Sequence, residues 1–359
     1  MLNLYLVVFF PFLVSFLLTL ICVPISLFFL RKYKIIDDPK KHKHPAILHK
    51  KPVPRGGGIP LFIGIFITSL IFLPFSTLIS AAFFAAFICL VVGVLDDKFD
   101  ISPYLRFAVN ILCAVFVVYF GANIPFITNP FGGILYLNTL EIPFLNIPVL
   151  SLFSNLIAII WIVWVMNMLN WSKGVDGQMP GIVAISAVVI GVLSLRFSVA
   201  DQSSLTAATL SFILAGSSLA FLIFNFYPAK IFPGYGATAI YLLLAVASIL
   251  SSAKLATAIL VMGIPMTDGL FTILRRLASG KSPFWHDKKH LHHLLLSLGF
   301  GQRRIALFYW IISAILGALS LVLSSQGKLF AIIMLVIIAW GAILFLHLLI
   351  RKIDDKTTL

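Results

Sequence analysis

Long apolar runs, rather than an amphipathic period, organise this chain. A helix needs about 20 successive apolar residues to cross a bilayer. Eleven stretches are read as such spans, at 4–30, 58–75, 78–95, 105–121, 151–169, 180–197, 204–224, 236–252, 255–274, 305–323 and 329–350. The stretch 236–252 is short, with Lys254 just beyond it. The first run lacks a basic leading region and a small-residue cleavage site, so it is expected as a retained span and not a signal peptide. The pattern predicts one all-α polytopic membrane unit over 1–359, with about eleven transmembrane helices. One segment breaks it. Residues 122–150 are rich in Pro, Asn and Gly, and Ile134-Leu135-Tyr136-Leu137 follows Gly132-Gly133, which predicts a small external β-hairpin.

Charge orients the spans. One alternating set of loops and the C-terminal tail carry 23 of the 26 Lys and Arg residues, nine of them between Arg31 and Arg55 and seven between Arg275 and Arg304. The opposite set holds Arg196, Lys254 and Lys328. Basic loops stay on the cytoplasmic side, so the N-terminus is expected outside and the C-terminus in the cytoplasm, in the cell membrane. The same sorting sends Asp37, Asp38, Asp96, Asp97, Asp100, Asp176, Asp268 and Asp287 to the cytoplasmic side or its membrane edge. A polar site is therefore expected to open to the cytoplasm.

Composition excludes several classes. The chain is 61% hydrophobic and 11% charged, against roughly 25% charged residues in soluble domains, which rules out a water-soluble globule. Cys22, Cys89 and Cys113 lie in apolar runs without a Cys-x-x-Cys pair, so neither a disulfide framework nor a zinc site is indicated. A transporter has only the hydropathy in its favour, because no obvious internal repeat is present. The net charge of +14 is explained first by topology and then by anionic partners, with no nucleic acid implied.

The polar residues cluster in motifs. The first basic loop ends His49-Lys50-Lys51-Pro52-Val53-Pro54-Arg55-Gly56-Gly57-Gly58. Lysines there could simply clamp anionic headgroups, but a glycine triplet at a helix start lets N–H groups approach a phosphate, and Arg55 adds a bidentate donor. Asp96 and Asp97 end the third span, where a carboxylate pair is costly unless solvated, paired or metal-bound. Asn167 and Asn170 share a helix face at the end of the fifth span. They lead into Lys173-Gly174-Val175-Asp176-Gly177, a tight loop presenting a carboxylate. Asp268 lies inside an apolar span, with Arg275 or Arg276 as its expected partner. His290, His292 and His293 form the densest polar cluster, read as hydrogen-bonding groups for a diphosphate rather than a transition-metal site.

Together these motifs resemble the polyprenyl-phosphate N-acetylhexosamine-1-phosphate transferases, the family of WecA, TagO and MraY. The likeness runs in the family's order from Asp37 to His293. The Asp-Asp doublet corresponds to Asp96 and Asp97, the Asn-x-x-Asn and Asp-Gly motif to Asn167 through Gly177, and the His-x-His-His box to His290, His292 and His293. The His-Leu-His-His form is similar to the WecA branch. Two positions depart from the pattern: Lys173 and Tyr235 stand where the family has carboxylates.

The resemblance implies transfer of a sugar 1-phosphate, with N-acetylglucosamine expected, from a UDP-N-acetylhexosamine to polyprenyl (undecaprenyl) phosphate. The products are a polyprenyl-diphosphate-sugar and UMP, at the start of a cell-envelope glycan. It further implies Mg²⁺, weakly bound or lost here because Lys173 and Tyr235 replace expected ligands and leave Asp97 and Asp176. Asp96, Asp97 and Asp176 are the expected catalytic carboxylates, Asp96 as base or lipid-phosphate orienter. Expected substrate contacts are His49, Lys51, Arg55, Gly57, Gly58, Asn167, Asn170, Asp268, Arg276 and the three histidines. Family members can form homodimers, although no feature of this sequence requires one. The alternative is a pseudoenzyme that binds lipid phosphate or nucleotide sugar without turnover.

Overall fold

The computed structural model describes residues 4–40, 48–129, 132–137, 141–144, 147–197, 201–250, 255–285 and 287–357. The chain is helical almost throughout. The helices are α1 (Phe10–Lys32), α2 (Gly58–Phe72), α3 (Thr77–Phe99), α4 (Pro103–Tyr119), α5 (Leu152–Trp171), α6 (Gln178–Leu195), α7 (Gln202–Asn225), α8 (Thr238–Leu250), α9 (Leu255–Val261), α10 (Gly263–Ala278), α11 (Leu291–Ser297), α12 (Gln302–Val322) and α13 (Ser325–Thr357). Among the described residues seven helices are long and apolar enough to cross a membrane: α1 with its preceding π-turn, α3, α5, α6, α7, α12 and α13. Three shorter apolar helices, Gly58–Phe72, Pro103–Tyr119 and Tyr235–Leu250, fall on further expected spans. The chain is an all-α polytopic membrane protein.

The run 255–274 is where the expectation of a plain span fails. It forms two helices, α9 and α10, bent by 84° at Met262. Gly263, Pro265 and Asp268 interrupt the run just after the bend, a signal carried by residue type rather than by mean hydropathy. The bend brings the far end of α10, with Arg275 and Arg276, beside the end of α5 (below). The segment 122–150 holds the expected hairpin and a second antiparallel ribbon beside it in sequence. In the first, β3 (Phe126–Thr128) pairs with β4 (Ile134–Tyr136); in the second, β5 (Glu141–Phe144) pairs with β6 (Ile147–Ser151).

Helix α8 is the axis of the bundle. It is apolar around its whole circumference, and such a helix must be buried on all sides; Thr238 to Ile249 are all buried. It is packed by α3, α5 and α7. Where lipid tails are as apolar as the helices, association rests on close packing at small residues and on interhelical hydrogen bonds. Both occur where α7 meets α1 and α2. Thr19 donates to Ser217 Oγ (2.8 Å), Ser217 donates to the Leu61 carbonyl (3.2 Å), and Ser15 donates to the Ile213 carbonyl (2.8 Å). A Cβ on Gly64 would lie 2.0 Å from Thr19 Oγ1, so only glycine permits that approach.

Candidate active site at the helix ends

The ends of α4, α5 and α10, with the loops before α2, α6, α8 and α11, enclose a cavity of about 270 Å³. Its walls include Arg55, Arg106, Asn167, Asn170, Trp171, Lys173, Gly174, Tyr235, Arg276, Asp287, His290, His292 and His293. Arg55, Asn167, Asn170, Lys173, Tyr235, Arg276 and the three histidines, scattered from position 55 to 293, therefore converge on one place.

The carboxylate pair lies beneath the cavity. Asp96 and Asp97 are 1% and 8% exposed and do not line it. Helix α3 stops at Asp100, which takes the left-handed conformation (φ 52°), and Pro103 starts α4. The short link returns Arg106 to Asp96, and its Nη1 donates to Asp96 Oδ2 at 2.9 Å. Asp97 Oδ1 forms an ion pair with Arg55 Nε at 3.0 Å and accepts the Tyr235 N–H at 2.8 Å. The carboxylates thus hold two guanidinium groups at the cavity wall. Asp96, expected as a base or lipid-phosphate orienter, is shielded from the cavity by Arg106.

The glycine triplet works otherwise than expected. The residues before it form a two-residue ribbon, β1 (Ile36–Asp37) with β2 (Val53–Pro54), which delivers Arg55. The N–H groups of Gly56 and Gly57 donate to the Phe232 carbonyl (3.4 and 2.9 Å), and that of Gly58 to the Pro233 carbonyl (2.9 Å). Those donors are occupied by backbone and unavailable to a phosphate. What the triplet supplies is close approach: a Cβ on Gly58 would lie 2.3 Å from the Gly236 carbonyl carbon. Gly57 and Gly58 therefore shape the site without contacting the cavity. His49 and Lys51 also lie outside it: His49 Nε2 is 3.2 Å from the Asp37 carbonyl oxygen, and Lys51 is exposed.

Lys173 and Tyr235 stand at the centre. Lys173 Nζ donates to the Gly234 carbonyl at 2.9 Å and lies 5.6 Å from the centre of the Tyr235 ring. Arg106 lies over the same ring at 4.9 Å. Asn110, one turn beyond Arg106, donates to the Tyr235 hydroxyl at 3.0 Å. The electron-rich ring face attracts both cations at a position where the family pattern has a carboxylate. Burial pushes the Lys173 ammonium down to about 7, reinforced by Arg55 and opposed by Asp97 and Asp96. Asp176, three residues on, is directed elsewhere. Its Oδ2 accepts the Ala229 N–H (2.9 Å), its own N–H donates to Gln302 Oε1 (3.0 Å), and it does not line the cavity.

The opposite wall is built by α10 and α11. Asp268 does not pair with Arg275 or Arg276. One of its oxygens lies 2.9 Å from His290 Nδ1 and the other accepts the Leu291 N–H at 3.1 Å. The two arginines converge on Asp287, Arg275 Nη2 at 3.0 Å and Arg276 Nε at 3.1 Å from its Oδ2. Burial alone would raise the Asp287 carboxyl, but the Arg276 hydrogen bond, the Lys289 N–H and both guanidinium charges hold it at about 2. Arg276 also donates to the Pro283 carbonyl and lies over the Trp171 ring at 5.4 Å. His292 and His293 are pushed below the usual imidazole range by burial and by their neighbours, His293 to about 4. Both are neutral at pH 7 and act as hydrogen-bonding groups. Gly174 leaves room for His292, because a Cβ there would lie 1.9 Å from its Nε2. Asn167 and Asn170 line the cavity as expected. Asn170 Oδ1 is buried with no hydrogen-bond partner among the described residues.

Arg106 and Asn110 were not singled out as site residues by sequence. A polar pair one turn apart in the otherwise apolar run 105–121 is the signal that marks them. The pairing of Asp287 with Arg275 and Arg276 carried no such signal, because it depends on the bend at Met262.

A divalent cation does not fit this donor set. Asp96 Oδ1 and Asp97 Oδ2 are buried without hydrogen-bond partners, which alone would suit a cation. Mg²⁺ binds through one or two carboxylates whose charge is free to meet it, whereas Arg55, Arg106 and Lys173 already surround this pair. Asp176 is engaged elsewhere, and no group of three or more His, Cys, Asp or Glu suited to a metal ion occurs among the described residues.

Fold and site together define a membrane-embedded helix bundle whose helix ends enclose a cationic, histidine-walled cavity. The sequence profile of glycosyl transferase family 4 matches residues 79–252. A probable undecaprenyl-phosphate N-acetylglucosaminyl 1-phosphate transferase of Bacillus subtilis is 30% identical over 339 residues, covering 91% of this chain and 88% of that protein. A decaprenyl-phosphate N-acetylglucosaminephosphotransferase of Mycobacterium tuberculosis is 30% identical over 342 residues, covering 86% and 81%. An undecaprenyl-phosphate alpha-N-acetylglucosaminyl 1-phosphate transferase of Escherichia coli is 28% identical, covering 82% and 78%. The chain belongs to this family of membrane sugar-1-phosphate transferases.

Proposed function

We propose that this protein transfers N-acetylglucosamine 1-phosphate from UDP-N-acetylglucosamine to a polyprenyl phosphate, releasing UMP and starting a cell-envelope glycan. The observation that supports it most is the convergence of Arg55, Arg106, Lys173, Arg276 and the histidine box on one cavity at the helix ends, in a chain related to such transferases over most of its length. The cavity faces the cytoplasm of the cell membrane in this reading, on the strength of the division of Lys and Arg between the two loop sets.

The chemistry is an in-line exchange at phosphorus. A lipid-phosphate oxygen forms a bond to the β-phosphorus as the bond from that phosphorus to the bridging oxygen breaks. UMP leaves with the bridging oxygen and its electron pair. A phosphate monoester has a second pKa near 6, so at pH 7 the attacking group is largely a dianion and needs no base. What remains is positioning and charge stabilisation. Arg55 and Arg106, held by Asp97 and Asp96, face the phosphates; Arg276, held by Asp287, faces them from the other wall. The neutral His292 and His293 hydrogen-bond diphosphate or sugar oxygens.

The test is UMP release by purified protein in lipid discs with polyprenyl phosphate and a panel of UDP-sugars. UMP released with UDP-N-acetylglucosamine and dependent on the lipid phosphate is the expected result. Binding of the nucleotide sugar without any UMP would establish the pseudoenzyme reading, which Lys173 and Tyr235 favour. A preference for another UDP-sugar would move the specificity and leave the reaction class in place.

A further inference from the structure

We propose that the ammonium group of Lys173 replaces a divalent cation in this protein, so that the diphosphate of the nucleotide sugar is bound without metal. The inference rests on the proposed substrate and goes beyond it by assigning a metal-free mode of binding.

Charge arithmetic around the cavity carries the argument. Four cationic side chains, Arg55, Arg106, Lys173 and Arg276, line it. Three carboxylates, Asp96, Asp97 and Asp287, are paired to arginines, Asp287 to Arg275 as well as Arg276. With Lys173 protonated and Arg275 counted, the set is two units positive and meets a diphosphate diester without help. Carboxylates at 173 and 235 would instead leave it one unit negative, a deficit that a divalent cation reverses. Lys173 and Tyr235 together thus supply the charge that such an ion would bring.

Geometry agrees with the arithmetic. The Lys173 ammonium is held in place by the Gly234 carbonyl, whose residue adopts φ +67° directly against Asp97. No carboxylate pairs with Lys173 among the ion pairs of the described residues, so its remaining donors are free for a ligand. An ammonium carries three donors and a backbone carbonyl uses one. The Tyr235 ring completes the arrangement, with Arg106 4.9 Å and Lys173 5.6 Å from its centre. A cation entering here meets three positive groups, and like charges about 4 Å apart repel even when partly screened.

The experiment measures equilibrium binding of UDP-N-acetylglucosamine to the full chain in lipid discs, with EDTA and with excess Mg²⁺, beside Mn²⁺ binding by electron paramagnetic resonance. Wild-type affinity is expected to change less than about twofold between the two conditions, with no bound Mn²⁺. Lys173→Met is expected to weaken binding about tenfold or more in EDTA, and Lys173→Arg to restore most of it. The Lys173→Asp, Tyr235→Asp double variant is expected to bind Mn²⁺ and to become chelator-sensitive. Loss of wild-type binding in EDTA with recovery in Mg²⁺ overturns the inference and leaves the transferase reading standing. Metal-independent binding without UMP release supports the inference and removes the transferase reading. No binding under either condition overturns both. The wild-type comparison stands even where a variant fails to fold.

Discussion

Asp268 and His290 form a 2.9 Å hydrogen bond between α10 and the start of α11, with the two residues 6% and 8% exposed. A carboxylate only accepts, so Nδ1 carries the hydrogen and the orientation of the ring is set. The second carboxylate oxygen takes the Leu291 N–H, which fixes the first turn of the helix that carries His292 and His293. One acid in an apolar helix therefore places the whole histidine box.

Replacing that acid tests the linkage. Asp268→Ala should destabilise the protein by about 3 kcal/mol, because two buried donors lose a charged acceptor. UMP release should fall at least about tenfold even at temperatures where the variant remains folded. Thermal unfolding in detergent and the UMP assay measure the two effects separately. Full activity in a folded Asp268→Ala protein would show that the histidine box is positioned by something else.

The close approach of the first loop to the segment before α8 yields a second test. Gly58→Ala would drive a methyl group to 2.3 Å from backbone of Gly236, which no rotamer change relieves. A cost of about 3 kcal/mol or more is expected. Gly341→Ala in α13 meets nothing within 4 Å and should remain within about 1 kcal/mol of wild type. Equal thermal unfolding of the two variants would contradict the packing described here.

How much of this was legible in the sequence depends on the range of the interactions. Spans such as 78–95 and 204–224 are decided by the bilayer and need no knowledge of a partner, and α3 and α7 lie where they were expected. The convergence of Arg55, Lys173 and His290 followed from their shared side of the membrane. The partners of individual groups were not legible. Asp268 is about two turns from Arg275 in sequence, yet the bend at Met262 and the return of the chain to α11 hand it to His290 and give both arginines to Asp287. The glycine triplet signals close approach to something; only the fold reveals that it is the carbonyls of Phe232 and Pro233 rather than a phosphate. Asp176 was grouped with Asp97 by motif, while the Ala229 N–H, 53 residues away, claims it.

Topology gives a third prediction. In a background without Cys22, Cys89 and Cys113, single cysteines at Lys51, Lys281 and Gly133 would all be exposed. A membrane-impermeant maleimide applied to intact cells should label the Gly133 position only, and the other two after permeabilisation. The reverse pattern would invert the orientation and place the cavity on the wrong side for a cytoplasmic nucleotide sugar.

The last prediction concerns pH and follows from Lys173. In the free protein, burial and the neighbouring Arg55 hold its ammonium at about 7, despite Asp97 and Asp96. A bound diphosphate places negative charge beside it and raises that value, because an opposite charge favours the protonated form. Above pH 7 the free protein carries Lys173 largely neutral while the complex keeps it charged, so binding takes up a proton. Affinity for UDP-N-acetylglucosamine should then fall as pH rises through 7, by up to about tenfold per pH unit, until the pH exceeds the value in the complex. Below pH 7 both states are protonated at this position and its contribution should be flat. Calorimetry at pH 8 in two buffers of different ionisation enthalpy measures the proton taken up. Lys173→Arg provides the control, since a guanidinium stays charged throughout this range and should abolish both the uptake and the slope. Proton uptake that persisted in Lys173→Arg would assign it to another group and remove Lys173 from the diphosphate site.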